Sequence, residues 1–310
     1  MLSRVADSLY WMSRYFERAD HSARVLESNY NLMLDPSLLS TEERWHRILR
    51  SLGIPASVDG DPQMGMIKLT CDPDHESSIV SCISVSRENA GQVREQISSE
   101  MWERLNRLYH HVARANPQLS TDFDPLRLVA EVRQGSYEFY GVTDATMNHD
   151  EGWHFIQLGK YIERSCALPI LLDAYFAPSA QTGDLDWVGL LTSCSAFEPY
   201  CKVYTADLKP EWMAEFLLLN AEFPHSVRYA VERMGAAITA ISQTSFTRAA
   251  GRIERIIGRL RASLAYVQIA EIMTGGLHRF LETVIEQCKN LHAAVHEVYI
   301  DYPIQSALEA

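Results

Sequence analysis

The chain has 310 residues, 47% of them apolar, and its 40 Asp and Glu outnumber 28 Lys and Arg for a net charge of −12. This is ample material for a core. The acidic balance argues against a nucleic-acid surface and against adsorption to an anionic membrane, since both need clustered cations. It leaves room for a local cationic pocket made by Arg14, Arg18, Arg24, Arg87 and Arg94. No run of 18 apolar residues occurs, so no transmembrane helix is expected, and the charged amphipathic N-terminus lacks the apolar stretch of a secretory signal. The six cysteines are widely spaced and form no CxxC pair. They read as reduced core thiols of a cytoplasmic protein, with no zinc site.

Helix signals dominate in chain order. The stripe Val5, Leu9, Met12, Phe16, Ala19, Ala23, Leu26, Tyr30, Met33 keeps the step of one buried helix face. It predicts a first helix over 3–34, stopped by Asp35-Pro36. A short helix is predicted over 41–52 with Thr41 as N-cap, then loops at Gly53-Ile54-Pro55 and Asp59-Gly60-Asp61-Pro62. Residues 63–71 read as a helix or a short strand, helix being preferred. After the turn Asp72-Pro73-Asp74, one long helical segment spans 77–115 with a bend at Asn89-Ala90-Gly91. A loop from Asn116 to Pro125 precedes helices over 126–146 and 150–176, the second kinked at Pro169. Ala177 to Gly183 is the best linker. Helices follow near 184–204, 210–220 and 224–242, and 245–302 reads as two long helices broken at Gly275-Gly276.

No alternating strand pattern occurs, so the expected fold class is all-α, a bundle of long antiparallel helices. Two halves are expected, 1–176 and 184–310, packed against each other or merged into one domain. The lack of a glycine-rich loop after a strand removes P-loop and Rossmann readings.

One helical motif occurs twice. Residues 14–18 are Arg14-Tyr15-Phe16-Glu17-Arg18, and 146 residues later stand Lys160-Tyr161-Ile162-Glu163-Arg164. The flanking stripes are Leu9, Met12, Phe16, Ala19, Ala23, Leu26 and Phe155, Leu158, Ile162, Ser165, Pro169, Leu172, in the same register. This predicts an internal duplication in which the helices bearing Glu17 and Glu163 pack close together. Glu17 lies three residues from Arg14 and four from His21, and Lys160, Glu163 and Arg164 repeat the geometry. Two readings stand side by side. One is an ion-pair network that fixes helix register. The other is a cluster that holds a carboxylate, a phosphate or a peptide backbone by bidentate hydrogen bonds.

Other polar groupings are weaker. Arg87-Glu88-Asn89 with Arg94 forms a third polar cluster whose composition echoes the repeated pair. His292 and His296 stand four apart with Glu297 beside the second, but no third ligand is indicated, so they read as a surface pair. Glu151-Gly152-Trp153-His154 matches the di-metal helix pattern once, without a second copy, and Asp150 reads as a helix cap. No metal or other cofactor is expected. Ser193-Cys194-Ser195 has no neighbouring His to activate it, so no nucleophile is assigned.

Several short segments carry a family resemblance. They are Met1-Leu2-Ser3-Arg4-Val5-Ala6, Leu9-Tyr10-Trp11-Met12, Arg14-Tyr15, Glu17-Arg18-Ala19, Ser86-Arg87-Glu88-Asn89-Ala90 and Trp102-Glu103-Arg104-Leu105-Asn106. They continue with Gly141-Val142-Thr143-Asp144, Asp150-Glu151-Gly152-Trp153, Leu158-Gly159, Tyr161-Ile162-Glu163-Arg164, Phe223-Pro224 and Ser226-Val227-Arg228. In this order they resemble the bacterial alpha-E family, a domain of unknown function named for its helices and its Glu-Arg motif. The resemblance implies a cytoplasmic bacterial all-α protein beside an ATP-grasp-type ligase and a transglutaminase-like protein, in a peptide- or amide-forming pathway. The family often has Arg where this chain has Gly91, His149 and His225.

The candidate ligand-binding residues are Arg14, Glu17, Arg18, Arg87, Glu88, Asn89, Arg94, Asp150, Trp153, Lys160, Glu163 and Arg164. The preferred expectation is a binding or accessory module for the ligase, with a small peptide or carboxylate as ligand. The alternatives are an enzyme using Glu17 or Glu163 as a general base of raised pKa, and a structural subunit of a homo-oligomer.

Overall fold

The computed structural model describes residues 1–33, 40–55, 61–115, 124–177, 182–244 and 250–300. These residues form only helices: α1 Ser3–Met33, α2 Thr41–Ser51, α3 Pro62–Cys71, α4 Ile79–Gln92, α5 Ser99–Arg114, α6 Pro125–Thr146 and α7 Glu151–Phe176. They continue with α8 Asp184–Ser193, α9 Phe197–Tyr204, α10 Pro210–Leu219, α11 Val227–Thr244, α12 Ala250–Tyr266, α13 Ile269–Gly275 and α14 Leu277–Val295, which ends in a π-helical turn, His296–Ile300. The fold is all-α, and no strand occurs among the described residues. The expected stop at Asp35-Pro36, the loop from Asn116, most of the 177–183 linker and the turn at Asp59-Gly60 lie outside them.

Local chemistry explains where the reading of boundaries shifts. Ser40, not Thr41, caps α2: its extended backbone lets its hydroxyl accept from Glu43 N, while the Glu43 carboxylate accepts from Ser40 N at 2.9 Å. The long segment 77–115 breaks into two helices instead of bending. Ser98 accepts the N–H of Met101 at 3.1 Å and starts a new helix, and the intervening turn buries Val93 and Ile97. The predicted helix at 184–204 divides at Ser195, which takes a left-handed backbone with φ 51°. The last third breaks a second time at Gln268, whose N–H donates to Glu271 at 3.1 Å. Residues 62–71 are helical, as preferred. α7 continues through Pro169, and the Ser165 carbonyl that a proline N–H cannot reach accepts instead from the Cys288 thiol at 3.9 Å.

Both predicted stripes are buried. Leu9, Met12, Phe16, Ala19, Ala23 and Leu26 line α1, and Phe155, Leu158, Ile162, Ser165, Pro169 and Leu172 line α7. α7 lies at the centre, packed against α1, α2, α11 and α14, while α1 also meets α4, α6 and α8.

The direction of the central pair, which the bundle expectation did not specify, is parallel. Tyr10 faces Gly159, Glu17 faces Arg164 and Asn29 faces Tyr175, so α1 and α7 run parallel and in register. The neighbours of this pair do run antiparallel to it. Ser86 donates to the Met12 carbonyl at 2.8 Å from α4, and Tyr140 reaches Glu17 from α6. Tyr161 meets Tyr229 on α11.

Helices α4 and α11 begin with one and the same cap. Ser78 accepts from Ser81 N at 3.1 Å and donates to the Asp72 carbonyl. Ser226 accepts from Tyr229 N at 3.0 Å and donates to the Asn220 carbonyl. In both turns the side chain at the carbonyl-bearing residue caps the N–H two residues on.

At Gly159 the two central helices approach backbone to backbone. A Cβ on Gly159 would stand 2.3 Å from the Tyr10 carbonyl oxygen and 2.3 Å from Ser13 Oγ. Gly159→Ala is therefore expected to push α1 and α7 apart and to destabilise by about 1–3 kcal/mol, as overpacking does. Gly258, on α12, has no atom within 4 Å of its would-be Cβ. Gly258→Ala is expected to stabilise by about 0.5–1 kcal/mol through lower chain entropy when unfolded. Urea unfolding of both variants checks the pair. A neutral Gly159→Ala would disprove the close approach.

Candidate functional site

The repeated motif builds a buried cluster by exchanging partners across α1 and α7. Arg164 Nε donates to Glu17 Oε1 at 2.6 Å and Arg164 Nη2 to Glu17 Oε2 at 2.9 Å, a bidentate pair. Reciprocally, Arg18 Nε donates to Glu163 Oε1 at 2.7 Å and Arg14 Nε to Glu163 Oε2 at 2.8 Å. Each glutamate thus pairs with the arginine of the other motif. Glu17 is fully buried, and the side chains of Arg164 and Glu163 are under one-tenth exposed. The Arg18 side chain is 32% exposed, so only Arg164 of the two motif arginines is sealed from solvent.

A second layer surrounds Glu17. The Tyr140 hydroxyl donates to Glu17 Oε2 at 2.5 Å, and Arg24 Nη2 lies 3.9 Å from Glu17 Oε1. Arg24 is itself paired with Asp20 and donates from Nε to the Ser193 carbonyl at 3.2 Å. Arg164 Nη1 donates to the Pro224 carbonyl at 2.9 Å, which ties the turn before α11 to the cluster. The Lys160 ammonium stands 3.8 Å from the centre of the Tyr140 ring.

Electrostatics follow from this geometry. Burial pushes the Glu17 carboxyl up, but the charge and hydrogen bonds of Arg164, then Arg24 and Lys160, outweigh it and hold it down to about 2. Glu163 is lowered for the same reason, burial being outweighed by Arg14 and Arg18. This reverses the expectation of a general base of raised pKa: both carboxylates are ionised and fully engaged at neutral pH. Burial, then Arg164, lowers the Lys160 amine to about 8. Burial and the Arg24 charge lower His21 to about 4. His225 falls well below its usual value through burial and then Arg164, Arg24 and Lys160. Burial and the Glu17 charge keep the Tyr140 phenol protonated.

The structure brings together Arg14, Glu17, Arg18, Lys160, Glu163 and Arg164 and places the other sequence candidates elsewhere. Arg87 donates to Asn106 at 2.8 Å and stacks on Tyr109 and Trp102, and Arg94 stacks on Trp102. Asn89 donates to the Val85 carbonyl of its own helix, and Glu88 is exposed. Asp150 caps α7, and Trp153 is buried against His149, with ring centres 4.1 Å apart.

His292 and His296 are not the surface pair expected. They pack on Tyr10 and Trp11, and His292 Nδ1 lies 2.7 Å from the Tyr10 hydroxyl. Among the described residues no three His, Cys, Asp or Glu side chains cluster as a metal would need. All six cysteines are free thiols. No described helix is long and apolar enough to cross a membrane. Sequence reasoning missed the parts played by Tyr140 and Asp20, and it noted His21 and His225 without placing them among the candidates. Asp20, His21 and Arg24 follow Glu17 at helical spacing on one face, a signal open to the sequence, whereas Tyr140 and His225 come from distant segments.

Fold and site together define an all-α protein organised around two exchanged Glu–Arg pairs. The chain belongs to the Alpha-E family, described as a predicted alpha-helical domain with a conserved ER motif, whose model matches residues 1–300. It is similar to the uncharacterized proteins Mb2597 of Mycobacterium bovis and Rv2567 of Mycobacterium tuberculosis, each 25% identical over 324 aligned positions. The alignment covers 95% of this chain, which spans 36% of the length of those relatives. No solved structure matches the chain significantly.

The shifted groups set a pH dependence. A carboxyl with a lower pKa folded than unfolded binds fewer protons in the folded chain, so its stabilisation is present above the unfolded value and lost on acidification. For Glu17 that window runs from its usual 4.5 down to about 2. His21, buried neutral, acts sooner: the unfolded chain takes up its proton near 6.5 and the folded chain only near 4, so stability falls across that range. Urea unfolding is expected to show a loss beginning below about pH 6.5 that steepens below about pH 4.5. Glu17→Gln leaves Arg164 buried without its counter-charge and is expected to cost about 3–5 kcal/mol at neutral pH, while flattening the lower step. A loss below 1 kcal/mol would show the pair to be energetically idle.

Proposed function

We propose that the chain is a binding or accessory module of a cytoplasmic bacterial peptide- or amide-forming pathway, working with an ATP-grasp-type ligase and a transglutaminase-like protein. The observation that carries this reading is the state of the two motif glutamates. Each is held ionised by guanidinium groups of the opposite helix, so neither is available to take a proton. A rigid cluster whose two glutamates are fully engaged suits recognition and shape. Membership of the Alpha-E family supports the setting, and the greater length of the mycobacterial relatives is consistent with a unit that works beside further protein.

We also infer that the chain is an internal duplication. In support, the exchanged pairs, the matched stripes and the two identical serine caps recur at nearly constant offset. The second repeat then begins at α7, inside the expected N-terminal half 1–176, which holds both motif copies.

Cross-linking and affinity capture of the tagged chain in its native host, followed by mass spectrometry, test the partnership. The expected outcome is enrichment of an ATP-grasp-type ligase over an untagged control, reproduced when the two purified proteins are mixed. Failure of the purified ligase and chain to associate, by sedimentation at concentrations near those in the cell, would refute the accessory role.

A further inference from the structure

The charges around Glu17 do not balance. Arg164 and Arg24 face the carboxylates of Glu17 and Asp20, two against two. Lys160 is an additional cation. Its ammonium packs on aromatic rings, 3.8 Å from the Tyr140 ring centre and 5.4 Å from that of Tyr161. Among the described residues it makes no ion pair and no hydrogen bond. Arg14, at the same register position of the other motif, shows what is lacking, because it binds Glu163 directly at 2.7 Å. On the Glu17 side the Tyr140 hydroxyl has taken the oxygen that the lysine would otherwise hold.

Two imidazoles stand in the same field with buried, unpartnered nitrogens, His21 Nε2 and His225 Nδ1. The surrounding cations keep both rings neutral, so each is able to carry its ring proton on that nitrogen and donate it. Buried polar atoms without protein partners are uncommon in folded proteins, and these two stand beside a surplus cation as donors for an acceptor from outside. The cluster also reaches the surface. Lys160 and His225 are half-buried and Pro224, whose carbonyl holds Arg164, is exposed.

We propose that Lys160 and His225 receive a single carboxylate group of a small ligand or of a peptide end, beside the Glu17–Arg164 pair. This rests on reading the cluster as a binding site, and it names the ligand class. One surplus positive charge matches one negative charge. A phosphate dianion would overshoot it and press a second charge against the Glu17 and Asp20 carboxylates, which already engage the two guanidiniums.

Bound carboxylate favours the charged ammonium, so it raises the lysine pKa, and trace acetylation of the intact chain with acetic anhydride reads this directly by mass spectrometry of the Lys160 peptide. Without ligand, labelling of Lys160 titrates near 8. With about 20 mM acetate or dialanine, the midpoint is expected to rise by about one unit, cutting labelling at pH 8 about fivefold. A larger shift with dialanine than with acetate identifies a peptide end, and the reverse a small free acid. Dialanine amide, which lacks the carboxylate, is expected to leave the midpoint in place. His225→Ala, checked for folding by circular dichroism, is expected to shrink the shift. No shift with either carboxylate, or an equal shift with chloride or phosphate, overturns the proposal. Because the chain is assayed alone, a shift without any ligase partner retains this site and removes the accessory role. The reverse result removes the site and retains the partnership.

Discussion

Two glutamates and two arginines trade partners across the seam between α1 and α7, and most of the structure is arranged to make that exchange possible. The carboxylates are sealed from water, so each must meet its guanidinium with good geometry or carry a large desolvation penalty. Only a parallel, in-register pairing brings Glu17 to Arg164 and Glu163 to Arg18 together. A slip of one helical turn would leave two buried carboxylates facing apolar stripes. The ion pairs need not add much net stability to act this way. They penalise every wrong register, while the apolar stripes, which repeat every turn, would tolerate several. Gly159 serves the same end by letting α7 approach the α1 backbone where the exchange takes place.

The neighbours of this seam follow from it. A parallel pair cannot be joined by a short turn, so the chain must leave α1, build other helices and return to start α7 at the same end. Of those intervening helices, α4 and α6 pack on α1 and run antiparallel to it, and α11 and α14 cover α7 from the other side. The starts of α4, α6 and α11 are fixed by Ser78, Asp124 and Ser226, which locate the polar residues that reach inward. The Ser226 cap shapes the turn whose Pro224 carbonyl meets Arg164, so a helix cap positions an acceptor in the buried cluster.

How much of this was legible in the sequence depends on the range of the cause. The helices and both stripes were legible because apolar spacing is a local property, and the closeness of Glu17 and Glu163 followed from their shared register. Pairing direction was not legible, since the same stripe packs either way and only the exchanged charges select one. The break after Gln92 was missed because the apolar pattern runs across it, with Val93 and Ile97 buried in the turn itself. Glu88 was misjudged by composition: it echoes the Glu-Arg pair but lies on an exposed face. Asp20, His21 and Arg24 stand at helical spacing from Glu17 and belonged in the candidate set. Tyr140 and His225 carry no local signal, because what matters about them is where α6 and the turn before α11 place them.

The two ends of the exchange differ, and the difference bears on function. At Glu163 two arginines converge on one carboxylate, and Arg14 is covered further by Tyr10, Trp11 and His292. At that end both cations are partnered by the chain's own side chains, and it acts as a structural clamp. At Glu17 the equivalent cation is a lysine displaced by a tyrosine, and two imidazoles without partners stand near it. If structure were the sole requirement, a tyrosine that removes a cation from a buried carboxylate would be a poor choice, since it leaves a desolvated ammonium unbalanced. The arrangement is intelligible when the ammonium is kept for something that arrives from outside. The phenol then satisfies Glu17 and offers its ring to the amine, and the clamp at the other end holds the register while the open end binds.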